Sequence, residues 1–160
     1  IPELALLNLV RLLDPETAIG VLALQEHQGR LNLYNRNALY LSRHLPIGQK
    51  DLQAMTAEPP APGLQLLSDG DSARERLLLE LQRSLDYYDS QVGMGQVGEL
   101  WLLPVDGLDA VVTATELEGS MNLSWRVLRI PGIDIVASAI PTLAAAMQPL
   151  PVAAEPDRWL

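Results

Sequence analysis

Leucines dominate the first residues of the chain and are interrupted by single polar residues. The run over residues 2–13 includes Glu3, Asn8 and Arg11, and residues 14 and 15 are an Asp-Pro pair. An apolar run of this kind, closed by Asp-Pro, predicts a helix with a broad apolar face. That face has two candidate neighbours, which are the core of this domain and another part of the protein.

The pattern changes to a two-residue alternation after residue 18. Three such segments, 19–24, 30–34 and 38–45, are separated by the short polar breaks 26–29 and 35–37. Breaks of this length that contain Gly or Asn are typical of hairpin turns. The sequence therefore predicts a three-stranded antiparallel meander. Its first strand is apolar on both faces, which places it inside the sheet, with the other two nearer the edge.

A long helix is predicted in the middle of the chain. Ser72 and Glu75 have the spacing of a capping box, in which a serine and a glutamate satisfy each other's backbone donors at a helix start. Gly93 and Gly95 end the pattern. Between these limits, apolar side chains share one stripe of the helix: Leu77, Leu78, Leu81, Leu85 and Tyr88.

The other segments alternate between helix and strand patterns. They are a short helix at 49–57, a proline-rich loop from 58, a short strand at 64–67, strands at 99–105 and 124–130, and helices at 108–118 and 135–147. The order β-β-β-α-α-β-α-β-α predicts an α/β fold of the ribonuclease-H-like class, with a mixed five-stranded sheet and helices on both faces. This class includes nucleases, transposases and actin lobes, so the fold alone does not decide the function.

The composition narrows the function classes. Among 160 residues, 20 acidic side chains outweigh 11 Lys and Arg, which gives a formal charge of −9 and argues against binding to nucleic-acid phosphates. No apolar run reaches the ~18 residues of a membrane-spanning helix. The absence of Cys excludes a disulfide framework and a Cys zinc site. A start at Ile1, without Met or a basic leader, predicts a segment of a longer protein.

Candidate catalytic groups are few. A metal-dependent nuclease of this fold needs carboxylates from the first strand, the long helix and the end of the fourth strand. Asp106 fits the strand end and Glu75 or Glu80 fits the helix, but the first strand offers no carboxylate and has Gln25 at its end. The two histidines lack the spacing of a metal site and are predicted to be surface residues.

Residues 80–91 form a motif on the long helix, Glu-Leu-Gln-Arg-Ser-Leu-Asp-Tyr-Tyr-Asp-Ser-Gln. It resembles the motif E-(I/L)-x-R-S-L-x-(Y/F)-(Y/F)-x-S-Q of the PilM-type, actin-like proteins of type IV pilus assembly. Residues 46–48, Pro-Ile-Gly, lie where that family has a glycine pair after the third strand. Leu-Leu-Pro at 102–104 is most similar to the MshI-type proteins of MSHA-pilus biogenesis. The cytoplasmic domain of the GspL proteins of type II secretion is a more distant relative.

The resemblance implies the second lobe of a two-lobed, actin-like protein. Residues 1–14 would form the helix that leads in from a missing first lobe, because they resemble the corresponding helix of the family. Residues 15–150 would be the lobe itself, and 151–160 a proline-rich tail. Within the lobe, residues 58–70 stand where the family usually has a larger subdomain that helps to wall the adenine pocket.

The chain departs from actin-like ATPases at the nucleotide site. Those proteins place an Asp-x-Gly-x-x-x-Thr/Ser loop at the first hairpin, because backbone amides and a carboxylate must approach the phosphates and the metal. Residues 23–29 lack that Asp, and residues 103–107 replace the Gly-Gly of the adenosine motif. These departures imply a degenerate site with no cofactor and no enzymatic activity. The alternative is an ATPase lobe that binds ATP and Mg²⁺ through Gln25, Gly29 and Gly107.

The outward face of the long helix is the candidate partner surface. If the leucine stripe packs on the sheet, Arg76, Arg83 and Tyr87 project outward, either to a partner or as an ordinary solvated face. The resemblance implies a non-catalytic scaffold lobe in the assembly platform of a type IV or MSHA-like pilus, cytoplasmic and peripheral to the bacterial inner membrane. The implied partners are a PilN-like inner-membrane protein, the missing first lobe and, through self-association, a second copy.

Overall fold

The computed structural model describes residues 2–13, 17–53, 69–93 and 95–128, together with Thr142. The elements in these ranges, in chain order, are α1 (Pro2–Leu13), β1 (Ala18–Leu24), β2 (Gly29–Asn35), β3 (Ala38–Leu45), α2 (Gln49–Gln53), α3 (Asp69–Val92), β4 (Val97–Leu102), α4 (Ala110–Ser120) and β5 (Ser124–Val127). The predicted strand at 64–67, the helix at 135–147 and the tail at 151–160 lie outside the described residues.

The strands form one mixed sheet in the order β3-β2-β1-β4-β5. β1 pairs antiparallel with β2 and parallel with β4, and β4 pairs parallel with β5. The predicted meander, the five-stranded mixed sheet and the inner position of the first strand are therefore confirmed. β1 has strands on both sides and core on both faces, which explains why its sequence is apolar throughout.

Helices cover both faces of the sheet. On one face, Leu22 of β1 and Leu100 of β4 pack with Leu77 and Leu81 of α3, and α2 and α4 add to the same cluster. On the other face, side chains of α1 are buried with those of the strands: Leu6, Leu9, Val10, Ile19, Val21 and Tyr34. The apolar face of α1 therefore belongs to the core of this domain, which decides between the two neighbours that the sequence allowed.

Three predicted boundaries are wrong by a few residues. The helix α3 begins at Asp69, so Ser72 lies inside it and the last two residues of the predicted loop 58–70 are helical. Capping-box spacing marks a start only where the upstream backbone leaves the helix, and here it does not. The helix α4 begins two residues later than predicted because Asp109 caps it, and β4 begins at Val97. Within the described residues, no helix is long and apolar enough to cross a membrane.

Asp109 is a strong N-cap, and its replacement by alanine is expected to lower the free energy of unfolding by about 1 kcal/mol. Its carboxylate Oδ1 accepts hydrogen bonds from the backbone nitrogens of Val111 at 2.9 Å and Val112 at 3.1 Å. Alanine leaves both donors without that acceptor. Urea denaturation of Asp109→Ala measures the loss, and Asp109→Asn is the control because its amide oxygen can still cap. An unchanged stability of Asp109→Ala would contradict the capping role.

Candidate functional site

The turn between β1 and β2, residues 25–28, is where the sequence predicts the counterpart of a phosphate loop. Its polar groups are bonded to each other. The Gln25 backbone nitrogen donates to the Gln28 carbonyl at 2.7 Å, and the Gln28 side-chain amide donates to the Gln25 side-chain oxygen at 2.6 Å. The ring Nε2 of His44 lies 2.5 Å from Gln28 Oε1. The side chain of Gln25, a candidate nucleotide ligand, is thus engaged within its own turn.

The first turn of α2 is bonded to this hairpin. The backbone nitrogens of Gln49 and Lys50 donate to the carbonyl oxygens of Gln25 and Glu26, at 2.8 and 3.0 Å. These amides belong to the start of a helix, where backbone donors have no partner within the helix itself. The hairpin carbonyls therefore serve as the cap of α2. Only a residue without a side chain fits before this cap, because a β-carbon on Gly48 would lie 2.6 Å from both of those carbonyl oxygens.

The opposite end of α2 is bonded to the loop that follows β4. The side-chain amide of Gln53 donates to the Gly107 carbonyl at 2.6 Å, and Gly107 has φ +77°, a conformation that favours glycine. Gly29 is buried, and a β-carbon there would lie 3.0 Å from the Ile47 carbonyl oxygen. The structure thus brings all three candidate nucleotide positions, Gln25, Gly29 and Gly107, against α2 and the residues before it.

An ion pair adds to the contact between α2 and the hairpin, since Lys50 Nζ bonds to Glu26 Oε1. The hydrogen bond from Lys50 and its charge, with a smaller effect of His27, hold the pKa of the Glu26 carboxyl below its usual value. A lowered pKa in the folded state stabilises the fold at pH values above the unfolded pKa. That contribution is lost as the pH falls through the folded pKa.

The Lys50→Met substitution is therefore expected to raise the pKa of Glu26 toward its usual value. NMR titration of the side-chain carboxyl carbon measures this change directly. Because Glu26 is fully exposed, only a small change in overall stability is expected with it. Lys50→Arg is the control, since it keeps the positive charge. An unchanged pKa in Lys50→Met would show that the ion pair is not formed in solution.

A cavity of about 190 Å³ lies beside the Gly107 loop, between α2, α3 and α4. Its apolar lining consists of Leu52, Leu108, Val112 and Leu117. Arg74 of α3 lies at its rim and donates to the Glu116 carbonyl of α4 at 2.6 Å. The cavity lies near the carboxyl ends of the parallel strands, where ligands bind in many α/β folds. No motif in the sequence analysis pointed to this cavity.

Of the three carboxylates in the nuclease alternative, Glu80 is bonded to two arginines, and the other two are exposed. Both oxygens of Glu80 accept from arginines, Oε2 from Arg43 of β3 and Oε1 from Arg83, each at 2.8 Å. Glu75 is exposed on α3, and Asp106 is exposed in the loop after β4. Among the described residues, no three His, Cys, Asp or Glu side chains gather in a group that could hold a metal ion. Both histidines are exposed, as the sequence predicted.

The motif at 80–91 attaches α3 to the sheet. Tyr88 is fully buried, and its hydroxyl accepts a hydrogen bond of 3.0 Å from the side-chain amide of Asn35, at the end of β2. Its ring also meets Tyr40 of β3 edge to face, with centroids 6.3 Å apart. Ser84 is buried and donates to the Glu80 carbonyl. Several of the motif residues thus have packing roles, and no sequence pattern pointed to Asn35 as their partner.

The three residues proposed to meet a partner are exposed on α3. Arg76 and Arg83 reach solvent, and Tyr87 is 55% exposed. Their positions confirm the predicted orientation of the leucine stripe, whereas their contact with a partner stays a prediction. Arg83 is also tied to the helix by its bond to Glu80.

The chain is similar to known proteins in structure rather than in sequence. No protein-family model matches the chain, and no curated protein matches it. Among solved structures, the PilM-PilN type IV pilus biogenesis complex is similar over 91% of this chain and 49% of its counterpart, with a TM-score of 0.58 and 20% identity. The apo psk41 ParM protein is similar over 82% of this chain and 40% of that one, with a TM-score of 0.50 and 11% identity.

A third likeness, to the Aquifex aeolicus Ppx/GppA phosphatase, has a TM-score of 0.44 and 18% identity, over 64% of this chain and 30% of that one. It is too distant to bear on function. The chain spans about half of the PilM chain and less of the others. Identities this low establish the fold and not the activity. The chain therefore has an actin-like α/β fold and is similar in structure to PilM.

Proposed function

We propose that this chain is a non-catalytic scaffold lobe, the second lobe of an actin-like protein in the inner-membrane assembly platform of a type IV pilus of the MSHA kind. The observation that carries this proposal is the placement of α2. Its backbone amides bond to the hairpin at Gln25 and Glu26, and its last side chain bonds to Gly107. The candidate nucleotide positions are used to hold the domain together.

The chemistry of the hairpin supports a scaffold over an ATPase. A phosphate loop needs free backbone amides and a carboxylate near the metal. Here the Gln25 amide donates to Gln28 within the turn, and the one carboxylate of the turn, Glu26, is paired with Lys50. A nucleotide would have to displace these bonds. On this proposal the lobe acts through protein contacts, and the protein to which it belongs lies in the cytoplasm against the inner membrane.

The proposed partner is a PilN-like inner-membrane protein. The similar solved structure is a complex of PilM with PilN, and it carries this part of the proposal. The resemblance to the PilM-type family implies a peptide groove mainly in the first lobe, so on this proposal the present lobe contributes contacts to that first lobe or to a second copy. The parent would then bind the PilN-like protein without help from nucleotide.

Co-purification tests this function. The parent protein, tagged in a cell that assembles the pilus, is recovered from solubilised membranes, and the PilN-like protein is measured in the eluate. Recovery is expected to be equal with Mg·ATP, with a non-hydrolysable analogue and after apyrase treatment. A change of about fivefold or more, which corresponds to about 1 kcal/mol, would favour the ATPase lobe instead. Absence of the PilN-like protein from every eluate would overturn the pilus assignment.

A further inference from the structure

Two arginines and a tyrosine lie close together on one flank of α3. At 100° per residue, Arg76, Arg83 and Tyr87 fall within about 40° of one another, and Glu75 and Asp86 lie about 90° farther round the helix. The arginine flank is the one beside β3, because Glu80 on that side bonds to Arg43 of β3. On a chain with a formal charge of −9, a flank with this concentration of arginine is distinctive.

The strand next to that flank is the edge of the sheet. In the described sheet, β3 (Ala38–Leu45) pairs only with β2, so alternate backbone amides and carbonyls of its eight residues point away from the sheet. The register of β3 against β2 shifts between Leu33 and Tyr34, and Tyr40 is left without a partner at that bulge. Its side chain is 37% exposed.

Edge strand and helix flank together form one surface, which we call the β3–α3 surface. It consists of Arg36, Tyr40, Arg43, Arg76, Arg83 and Tyr87. The bond from Asn35 to Tyr88 places the turn that carries Arg36 near the carboxyl-terminal half of α3. In the described structure, Glu80 is the one carboxylate that forms ion pairs with these four arginines, and it bonds to Arg43 and Arg83. The surface thus combines net positive charge, two exposed tyrosines and open strand hydrogen-bonding groups.

We propose that the β3–α3 surface binds an acidic segment of a partner protein in extended conformation, as an added strand beside β3. An added strand satisfies the outward backbone groups of β3, which is how many domains bind extended peptides. Every second side chain of that strand faces the α3 flank. Carboxylates at those positions pair with the arginines, and apolar side chains pack on Tyr87 and Tyr40.

The charges of the chain argue for this occupant over others. A basic segment would be repelled by the four arginines, and a nucleic acid has no peptide groups that could pair with the edge strand. A membrane surface would satisfy the arginines but not the backbone groups of the edge strand. The inference rests on the proposed scaffold function and adds a separate partner-binding surface on this lobe, beside the contacts proposed with the first lobe or a second copy.

A synthetic peptide as long as β3, with glutamates at alternate positions and valine and tyrosine between them, tests the proposal. Its fluorescently labelled form is titrated with the 160-residue chain and followed by anisotropy. Binding is expected, and Arg83→Gln combined with Tyr87→Ser is expected to weaken it about tenfold. Both residues are exposed, so the fold is retained, and circular dichroism checks this. Arg11→Gln, with the same charge change on α1, is the matched control.

Two further peptides separate strand pairing from charge alone. In one, every glutamate is replaced by lysine, and this peptide is expected not to bind. In the other, the alternate amides that would bond to β3 are N-methylated, and binding is expected to weaken about tenfold. Equal binding of the methylated peptide, equal loss in Arg11→Gln, or no binding of the acidic peptide would overturn the proposal. Retention on phosphatidylglycerol vesicles without peptide binding would also overturn it. None of these outcomes alters the PilN co-purification, so the two proposals can fail separately.

Discussion

Gly48→Ala is expected to lower the free energy of unfolding by about 3 kcal/mol. The new methyl group would lie 2.6 Å from the carbonyl oxygens of Gln25 and Glu26 and closer still to the backbone nitrogen of Gln28. All three atoms are backbone, so none can move aside by changing a rotamer. The first turn of α2 must then separate from the hairpin, which removes the two hydrogen bonds from Gln49 and Lys50.

Urea denaturation measures this loss, and amide hydrogen exchange locates it. The amides of Gln49 and Lys50 are expected to lose protection in Gly48→Ala more than those of β1. The matched control is Gly119→Ala in α4, where a β-carbon would meet no atom within 4 Å and where alanine is the better helix former. Gly119→Ala is expected to keep or raise stability. Equal stability of the two variants would contradict the close contact of α2 with the hairpin.

Leu81→Ala is expected to lower the free energy of unfolding by about 2–5 kcal/mol. Leu81 is fully buried where α3 packs on the sheet, and alanine removes its packing atoms and leaves a cavity. Leu79→Ala is the control on the same helix, since Leu79 is 50% exposed. The same chemical change there is expected to alter stability by about 0.5 kcal/mol or less.

Both leucine variants are measured by urea denaturation with a shared m-value. Similar losses in Leu81→Ala and Leu79→Ala would mean that α3 is rotated about its axis from the orientation described. That rotation would also change which side chains of α3 face β3, so the pair of variants tests the orientation on which the β3–α3 surface depends. The expected difference between them is at least about 1.5 kcal/mol.

The sheet could be predicted from the sequence because its information is local. Two-residue alternation marks β2 and β3, and the break at 35–37 contains the two-residue turn that the structure forms at Arg36 and Asn37, both with positive φ. The apolar run of β1 follows from its central position. The face of α3 followed from helical spacing alone, which correctly separated buried Leu77 from exposed residues such as Arg83.

The contacts that decide the candidate site could not be predicted in this way. Gln53 and Gly107 are 54 residues apart, and Asn35 and Tyr88 are 53 apart, and no periodicity links such pairs. The role of Gly48 depends on how α2 is oriented against the hairpin, a tertiary property that local sequence does not specify. The sequence shows that residues 23–29 lack the Asp of a phosphate loop. Only the structure shows which hydrogen bonds and which ion pair hold the turn instead.

The start of α3 and the bulge of β3 show a similar limit. A serine with a glutamate three residues later can cap a helix or lie within one, and the upstream backbone decides between them. The bulge at Tyr40 depends on the pairing of two strands, since it accommodates one extra residue of β3 against β2. It brings the Tyr40 ring to Tyr88 and thereby joins the edge strand to α3.

In the proposed scaffold, contacts between α2, the hairpin and the Gly107 loop hold the candidate nucleotide positions, and these positions bind no nucleotide. Titration of Mg·ATP to about 5 mM into the ¹⁵N-labelled chain, followed through the amides of Gln25 to Gly29 and of Gly107, tests it most directly, because it detects even millimolar binding. Magnesium sulfate at equal ionic strength is the control. No saturable shift beyond that control is expected. Saturable shifts at both the hairpin and Gly107 would contradict it and would establish a nucleotide-binding lobe.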